Sequence, residues 1–209
     1  MWANAIAAGA RGLTGASVRW FNCQPEPRQR VYFANHTSHL DFVVLWSVLP
    51  KDLRPLVRPV AAKDYWKSGI RKRLAVKVFN AVLVERQPQA QDADQTHRMD
   101  SARQSLETLL EGLGQTNSLI VFPEGTRGTG ETVGVFKSGI YHLWRQRPDV
   151  QFVPVYLANL NRVLPKGEVL PVPVISRVIF GAPLQPAPDE TKESFLTKAH
   201  KAIEELSAL

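Results

Sequence analysis

The stretch NHTSHLDF, residues 35–42, places two histidines and an aspartate close together, ahead of an apolar run. An imidazole can take up a proton near neutral pH, so His36 is a candidate general base for removing the proton of an alcohol. Asp41, hydrogen-bonded to the other ring nitrogen, would fix the tautomer of His36 and stabilise the imidazolium. The sequence pairs no protein nucleophile with these two residues. The simplest hypothesis is that the substrate brings the hydroxyl.

The same stretch also fits a helix cap with no catalytic role. Ser38, followed three residues later by Asp41 and then by FVVLW, forms a capping-box pattern in which Ser38 caps the helix. His36 and His39 would then be loop residues. Spacing alone does not decide between a cap and a catalytic loop. If both exist, we expect Asp41 to give its carboxylate to the imidazole rather than to a backbone amide.

A second polar segment, FPEGTR (122–127), follows the apolar run SLIVF and is a candidate anion site. Open α/β sheets bind ligands beyond the carboxyl ends of their strands. Arg127 can hold a phosphate with two parallel hydrogen bonds, and Gly125 lets the backbone approach it closely. Arg86 also follows a predicted strand, so the two arginines can converge on one anion. The alternative is a plain surface turn with a solvated arginine.

The sequence lacks the motifs that several other kinds of reaction or binding site require. The sequence contains no Gly-x-Ser-x-Gly elbow and no His-Glu-x-x-His metal motif. GTRGTGET (125–132) has the glycine spacing of a phosphate-binding loop, but Glu131 stands where that motif needs lysine. Cys23 is the only cysteine, which excludes an internal disulfide and a cysteine-based zinc site. We therefore predict no metal site.

Short β-rich runs alternate with helical patterns along the chain. The pattern predicts an α/β fold with a largely parallel central sheet flanked by helices, in a single domain over residues 1–209. FPEG is a predicted turn, because proline presets φ at its second position. The predicted strands are 31–35, 81–86, 118–122, 151–157 and 174–180, and the predicted helices are 41–49, 94–113, 137–147 and 189–207.

The charge balance favours an anionic partner, since 26 Lys and Arg against 19 Asp and Glu give a formal charge of +7. A predicted basic amphipathic helix within 63–79 can attach to an anionic membrane, dock an acidic carrier protein or the phosphates of coenzyme A, or simply face solvent. Stacking aromatics interleaved with lysines are not evident, so we expect no nucleic acid partner. The basic residues in question are Lys63, Lys67, Arg71, Lys72, Arg73 and Lys77.

The first 25 residues are a candidate for a helix that lies on a membrane surface, with Trp2, Ile6 and Leu13 on one side. No apolar run reaches the roughly 18 residues that a spanning helix needs. A single cysteine fits a reducing, cytosol-facing location. We expect peripheral contact with the cytoplasmic face of a membrane.

Together these segments resemble the glycerolipid acyltransferase family typified by 1-acylglycerol-3-phosphate acyltransferase. The family block Asn-His-x-Ser-x-x-Asp is matched at residues 35–41, and the block Phe-Pro-Glu-Gly-Thr-Arg is matched throughout at 122–127. FNAVLVER resembles the second block, although Asn80 and Ala81 stand where the family usually has glycine. FVPVYL, with Pro154, resembles the fourth. FKSG (136–139) resembles the segment that follows the third block.

The resemblance implies a glycerol-3-phosphate acyltransferase-like fold and an O-acyltransferase that uses acyl-CoA or acyl-carrier protein without a cofactor or an acyl-enzyme. The implied acceptor is a lysophospholipid, foremost 1-acylglycerol-3-phosphate, with phosphatidic acid as the product. His36 and Asp41 would be catalytic, and Glu124 would bond a glycerol hydroxyl or fix an arginine. The implied substrate-binding residues are Asn35, Ser38, Arg86, Glu124, Gly125, Thr126, Arg127 and Lys137.

Two alternatives stay open at this stage. Within the family, the acceptor can be glycerol 3-phosphate or another lysolipid, because the shared blocks carry the chemistry and the pocket shape selects the acceptor. Outside it, the chain can be a non-catalytic basic module that binds anionic membrane. In that case, substitutions at His36 and Asp41 would change only stability, and binding would weaken steeply with salt.

Overall fold

The computed structural model of the protein describes residues 2–63, 78–85, 95–163 and 175–209. Arg86 lies outside the described residues. So does most of the predicted basic helix, including Lys67, Arg71, Lys72, Arg73 and Lys77.

Strands and helices alternate along the described chain. The strands are β1 Ser17–Trp20, β2 Arg30–Ala34, β3 Val57–Ala62, β4 Val82–Val84, β5 Ser118–Val121, β6 Gln151–Ala158 and β7 Arg177–Phe180. The helices are α1 Trp2–Thr14, α2 Asp41–Val48, α3 Gln95–Leu113, α4 Gly139–Gln146, α5 Leu160–Val163 and α6 Lys192–Ser207, with a 3₁₀ turn at Arg54–Leu56. The predicted elements within the described residues are thus present, with small differences at their ends.

The strands of the described chain form one seven-stranded sheet in the order β1-β7-β6-β2-β5-β3-β4. All neighbouring pairs are parallel except β6 and β7, which run antiparallel with Val155 opposite Phe180. The predicted α/β fold with a largely parallel sheet is therefore confirmed. Parallel strands need helical crossovers, and these cover both faces of the sheet.

Alternate side chains of the central strand β2 enter two separate cores. Tyr32 and Ala34 belong to the core on one face, which α1 and α2 cover. Val31 and Phe33 belong to the core on the other face, together with residues of α3, α4 and α6. All five residues of β2 are buried, as expected for a strand covered on both sides.

Helix α6 packs on the sheet as the sequence predicts. Phe195, Ala199 and Ile203 are fully buried, and Leu206 is nearly so. The helix begins at Lys192, because Thr191 is its N-cap and accepts a hydrogen bond from the Ser194 backbone at 3.2 Å. The four buried apolar residues of α6 are spaced three or four residues apart, which places their side chains on one stripe of the helix.

The N-terminal segment contains a strand that the sequence pattern does not predict. Helix α1 packs against α2, burying Ala7 completely and Ile6 in part, while Leu13 stays 42% exposed. The chain then forms β1 at the edge of the sheet, beside β7. Membrane contact by residues 1–25 stays a prediction. Within the described ranges, no helix is long and apolar enough to cross a membrane.

Candidate active site

The two polar blocks of the sequence follow strands that lie side by side. β2 and β5 are parallel neighbours, with Phe33 paired to Val121, so both leave the sheet at the same edge. β3, β4 and β6 end there as well, because they run parallel to these strands. We call this the carboxyl edge. Residues 35–41 and 122–127 meet there although they are far apart in sequence.

His36 and Asp41 are in direct contact. The Nδ1 atom of His36 lies 2.8 Å from Oδ2 of Asp41. The same oxygen accepts hydrogen bonds from the backbone N–H groups of Thr37 at 2.6 Å and Ser38 at 2.9 Å. Asp41 is fully buried, so its carboxylate is held rigidly between the loop and the imidazole. Because Nδ1 is engaged, Nε2 is the ring nitrogen left to meet a substrate.

The helix cap differs from the predicted one. Helix α2 begins at Asp41 with Leu40 as the N-cap, and no side chain caps it. The prediction that Ser38 is the N-cap is therefore wrong, although its hydroxyl accepts a bond from the Leu40 backbone at 3.3 Å. The expectation that Asp41 bonds the imidazole rather than a backbone amide is also wrong, since the same carboxylate oxygen contacts the His36 ring and accepts from the Ser38 N–H. A carboxylate oxygen has enough lone-pair capacity for several donors.

Phe122 of the FPEGTR segment and Gly128, directly after that segment, hold His36 from two further sides. The ring of Phe122 stacks on the imidazole, with centroids 4.2 Å apart and planes at 22°. The Gly128 backbone N–H donates to the carbonyl of His36 at 2.8 Å. These contacts restrict the ring plane and the backbone of His36, so the two blocks form one structural unit.

Glu124 contacts His36 through the backbone. Its Oε1 accepts a hydrogen bond from the His36 N–H at 2.8 Å, and the carboxylate accepts another from the Gly134 backbone. The residue is only 7% exposed. Burial raises the pKa of the Glu124 carboxyl above its usual value, against the lowering effect of these hydrogen bonds. These partners differ from the glycerol hydroxyl or arginine expected from the resemblance.

Glycine is required at position 134 by this arrangement. A Cβ atom on Gly134 would collide with Oε2 of Glu124. The close approach lets the backbone of the glycine-rich loop reach the carboxylate directly. The loop after β5 is thereby tied to the loop after β2.

Asn35 binds the neighbouring strand. Its side-chain amide donates to the Leu157 carbonyl at 3.0 Å, and its oxygen accepts from the Leu157 N–H at 2.8 Å. The residue is buried. These two bonds fasten the end of β2 to β6, so they anchor the start of the 35–41 loop to the sheet.

Two cations line the same cavity as His36. The FPEG turn is confirmed by a hydrogen bond from the Gly125 N–H to the Phe122 carbonyl at 3.0 Å. Gly125 has φ +69°, and a Cβ atom there would lie 2.8 Å from Nζ of Lys137. Arg127 and Lys137 are both exposed and both line the same cavity as His36. Thr126 is exposed, and it is not among the described residues that line the cavity.

A cavity of about 340 Å³ extends from His36 into the second core. Its polar end carries His36, Arg127 and Lys137. Its inner walls are mostly apolar and come from the sheet, α3 and α4. The apolar lining residues include Val60, Val84, Leu109, Val121, Ile140 and Leu143. The volume falls in the range of small-molecule sites.

The fold and the site define an α/β protein that presents a histidine–carboxylate pair and two cations at the mouth of an apolar cavity. The model of the family described as Acyltransferase matches residues 22–158, and the chain belongs to this acyltransferase family. Both polar blocks and the strands that carry them fall within the matched region.

Two comparisons extend this result. A probable 1-acyl-sn-glycerol-3-phosphate acyltransferase of Mycoplasma pneumoniae is 30% identical over 132 residues, which cover 61% of this chain and 44% of that protein. The chain thus matches less than half the length of this relative. The crystal structure of the 1-acyl-sn-glycerophosphate (LPA) acyltransferase PlsC from Thermotoga maritima superposes with a TM-score of 0.72 at 19% identity. It covers all of this chain and 79% of that one. At this identity the superposition supports the fold alone.

Two features of the site were not predicted from the sequence. The role of Phe122 in stacking on His36 depends on the pairing of β2 with β5, which no local pattern encodes. The link from Glu124 to Gly134 is equally non-local. The glycines that follow FPEGTR could have indicated the link from Glu124 to Gly134, because a glycine-rich loop lets the backbone approach a buried carboxylate closely.

Proposed function

We propose that the protein transfers an acyl group from acyl-CoA or acyl-carrier protein to the free hydroxyl of a lysophospholipid, foremost 1-acylglycerol-3-phosphate, to give phosphatidic acid. The observation that carries the proposal is the His36–Asp41 pair, 2.8 Å apart, at the polar end of an apolar cavity. The Mycoplasma pneumoniae relative is named as an acyltransferase for this acceptor, which supports the choice.

His36 acts as the general base in this proposal. As the acceptor oxygen attacks the thioester carbonyl, its proton passes to Nε2 of His36 and a carbon–oxygen bond forms. Asp41 stabilises the imidazolium. The tetrahedral intermediate then collapses, the carbon–sulfur bond breaks, and the sulfur leaves with the proton from His36. The products are an ester and a free thiol, and the histidine returns to its starting state without an acyl-enzyme.

The cavity offers each part of the substrates a suitable environment. The apolar walls between the sheet, α3 and α4 suit an acyl chain, since burying each methylene group is favourable by about 0.8 kcal/mol. Arg127 and Lys137, at the polar end, suit the phosphate of the acceptor. Arg86, Thr126 and the backbone at Gly125 are proposed to complete the head-group site.

The reaction needs neither a metal nor a cofactor besides the acyl donor, and we propose none. We also propose no nucleic acid partner. The formal charge of +7 favours peripheral attachment to an anionic membrane, and we propose its cytoplasmic face. Lys63, which is exposed at the end of β3, is part of the basic surface expected from the sequence.

The test is a thiol-release assay with product analysis. The purified protein is incubated with acyl-CoA or acyl-carrier protein and with lysophosphatidic acid, glycerol 3-phosphate or a second lysophospholipid in parallel. We expect thiol release that depends on lysophosphatidic acid, with phosphatidic acid as the product. Turnover with only one of the other acceptors would assign a different family activity. Binding to anionic vesicles with no turnover on any acceptor would favour a non-catalytic module.

A further inference from the structure

His200 is a half-buried side chain of α6, far in sequence from both polar blocks. Its Nε2 atom lies 3.2 Å from the carbonyl oxygen of Val133, 67 residues earlier in the chain. A carbonyl oxygen can only accept a hydrogen bond, so Nε2 carries the hydrogen and is the donor. Helix α6 is thereby bonded to the glycine-rich loop (residues 128–137) that follows FPEGTR.

Two neighbours fix the orientation of the His200 ring. Glu204, one turn further along α6, places a carboxylate oxygen 3.3 Å from Nδ1. Phe136 packs against the imidazole with ring centroids 5.1 Å apart and planes at 62°. Phe136 is itself buried and lies edge-on to Phe33 of β2, with centroids 6.4 Å apart. Because the ring is held on both sides, Nε2 is directed at one point of the loop.

The bond from His200 reaches the same peptide group that binds Glu124. The Val133 carbonyl and the Gly134 N–H belong to one peptide unit, which is planar and trans, so the two groups point in opposite directions. The N–H donates to the Glu124 carboxylate. His200 and Glu124 therefore hold this peptide group at its two ends, and hydrogen bonds in such a series polarise one another.

Glu124 extends the series to the base. Its Oε1 accepts from the His36 N–H at 2.8 Å, while Gly134 lies against its Oε2. A displacement of the peptide group before Gly134 would therefore move Glu124, and His36 would lose the partner of its backbone N–H. The hydrogen-bonded series runs from His200 through the Val133–Gly134 peptide group and Glu124 to His36.

The His200 side chain is separate from the substrate cavity. His36 is among the described residues that line the cavity, and His200 is not. His200 therefore has no direct access to the reacting atoms. Any influence of this side chain on the reaction has to pass through the loop that it holds.

We propose that His200 is a positioning residue for the base His36. Its Nε2–H fixes the Val133–Gly134 peptide group, and this group holds Glu124 against the backbone of His36. The consequence for turnover rests on the proposed function. The fixing of the loop does not, because it requires only the hydrogen bonds described above.

Three variants of α6 test the proposal. His200→Leu removes the donor and keeps an apolar side chain beside Phe136. His200→Gln supplies an amide N–H₂ group that can donate to the Val133 carbonyl. Ile203→Val is the matched control, because Ile203 is fully buried on the same helix and the loss of one methyl group weakens its packing without removing the bond to the loop. Thermal melts confirm that every variant is folded.

Amide hydrogen exchange, followed by NMR without substrate, measures the positioning directly. We expect the amides of His36 and Gly134 to exchange about tenfold faster in His200→Leu, because the loop opens locally. The amides of β5 should exchange as in the unchanged protein. His200→Gln and Ile203→Val should protect His36 and Gly134 nearly as well as the unchanged protein does. Unchanged exchange of these two amides in His200→Leu would overturn the proposal.

Steady-state kinetics measures the consequence for the reaction. His200→Leu should lower kcat about tenfold with little change in the KM for the acceptor, and His200→Gln should recover most of the loss. The double variant His200→Leu, Glu124→Gln should be no slower than Glu124→Gln alone, because both changes break the same series of bonds. Fully additive losses, or an unchanged kcat of folded His200→Leu, would overturn the positioning role.

The two measurements separate this proposal from the proposed function. Absence of turnover by the unchanged protein with every acceptor would contradict the proposed function. The exchange rates of the His36 and Gly134 amides would still decide whether His200 fixes the loop, since they require no substrate.

Discussion

Oε1 of Glu124 lies 2.8 Å from the backbone nitrogen of His36 and accepts its hydrogen bond. The Glu124 carboxylate, in one polar block, therefore holds the backbone of His36, in the other. Since Gly128 also binds the carbonyl of His36, the segment after β5 engages both backbone polar groups of this residue. The site depends on the two loops being locked together.

Glu124→Gln should lower kcat while leaving the KM for the acceptor nearly unchanged. His36 donates to Oε1, and Gly134 lies against Oε2. Glutamine replaces one of these oxygens with an NH₂ group, so an N–H group will face the backbone N–H of either His36 or Gly134. A small displacement of His36 costs about 10- to 100-fold in rate. Steady-state kinetics with varied acceptor measures the effect.

Glu131→Gln is the matched control for this variant, because Glu131 is an exposed acid in the same loop. It should behave like the unchanged protein. A rise in acceptor KM for Glu124→Gln with unchanged kcat would show that Glu124 contacts the substrate instead.

Asp41→Asn should reduce kcat by about 10²- to 10⁴-fold, because a neutral amide cannot stabilise the imidazolium, even if its oxygen accepts from Thr37 and Ser38 in place of Oδ2. Thiol release at saturating substrates is the measurement. Asp52→Asn, at an exposed position after α2, provides the control. Full activity of a folded Asp41→Asn variant would show that the Asp41 carboxylate is not needed for catalysis.

Arg127→Ala and Lys137→Ala should raise the KM of a phosphate-bearing acceptor by about 10- to 100-fold each, because each loses a charge-assisted hydrogen bond. The effect should shrink for an acceptor with an uncharged head group. Arg103→Ala serves as control, since Arg103 is exposed on α3 and paired with Glu107 at 3.0 Å. Equal effects on charged and uncharged acceptors would exclude a phosphate role.

Glu190→Gln should destabilise the fold by about 1 kcal/mol at pH 7. The buried Glu190 carboxylate accepts hydrogen bonds from Lys198 at 2.7 Å and from Ser194 at 2.7 Å. Burial raises the pKa of Glu190, but these bonds outweigh it and hold the pKa below the usual 4.5.

The sign of the pH dependence follows from that lowered pKa. The folded state binds the proton of Glu190 less tightly than the unfolded state, so its stabilisation is present above pH 4.5 and is lost as the pH falls through the folded pKa. Urea unfolding of the unchanged protein and of Glu190→Gln between pH 7 and pH 3 measures the free energy of unfolding of each. The difference between the two free energies should shrink as the pH falls. A difference that stays constant would contradict the assignment, and exposed Glu205→Gln should show little effect throughout.

Local sequence patterns predicted the central elements well. β2 and β5 are continuous apolar runs with strand-forming residues, and α6 has its apolar residues at four-residue spacing. The short edge strand β1 was missed, because three of its four residues are exposed and its partner β7 is distant in sequence. Its pairing depends on tertiary contacts that periodicity does not record.

Contacts between residues of one sequence block were predictable, whereas contacts between the two blocks were not. The pairing of His36 with Asp41 follows from a short loop that turns into a helix. The backbone role of Glu124 and the stacking of Phe122 require knowledge of which strands are neighbours. The capping prediction at Ser38 was wrong, because the loop continues through Leu40 before the helix begins.

The central claim is that His36 removes the proton of the acceptor. The most direct test is acceptor-dependent thiol release by His36→Ala at saturating donor and acceptor, with the exposed α4 residue His142 changed to alanine as the control. A general-base role for His36 predicts a loss of at least about 10²-fold for His36→Ala and none for His142→Ala, with both variants folded. Normal turnover by His36→Ala would contradict it.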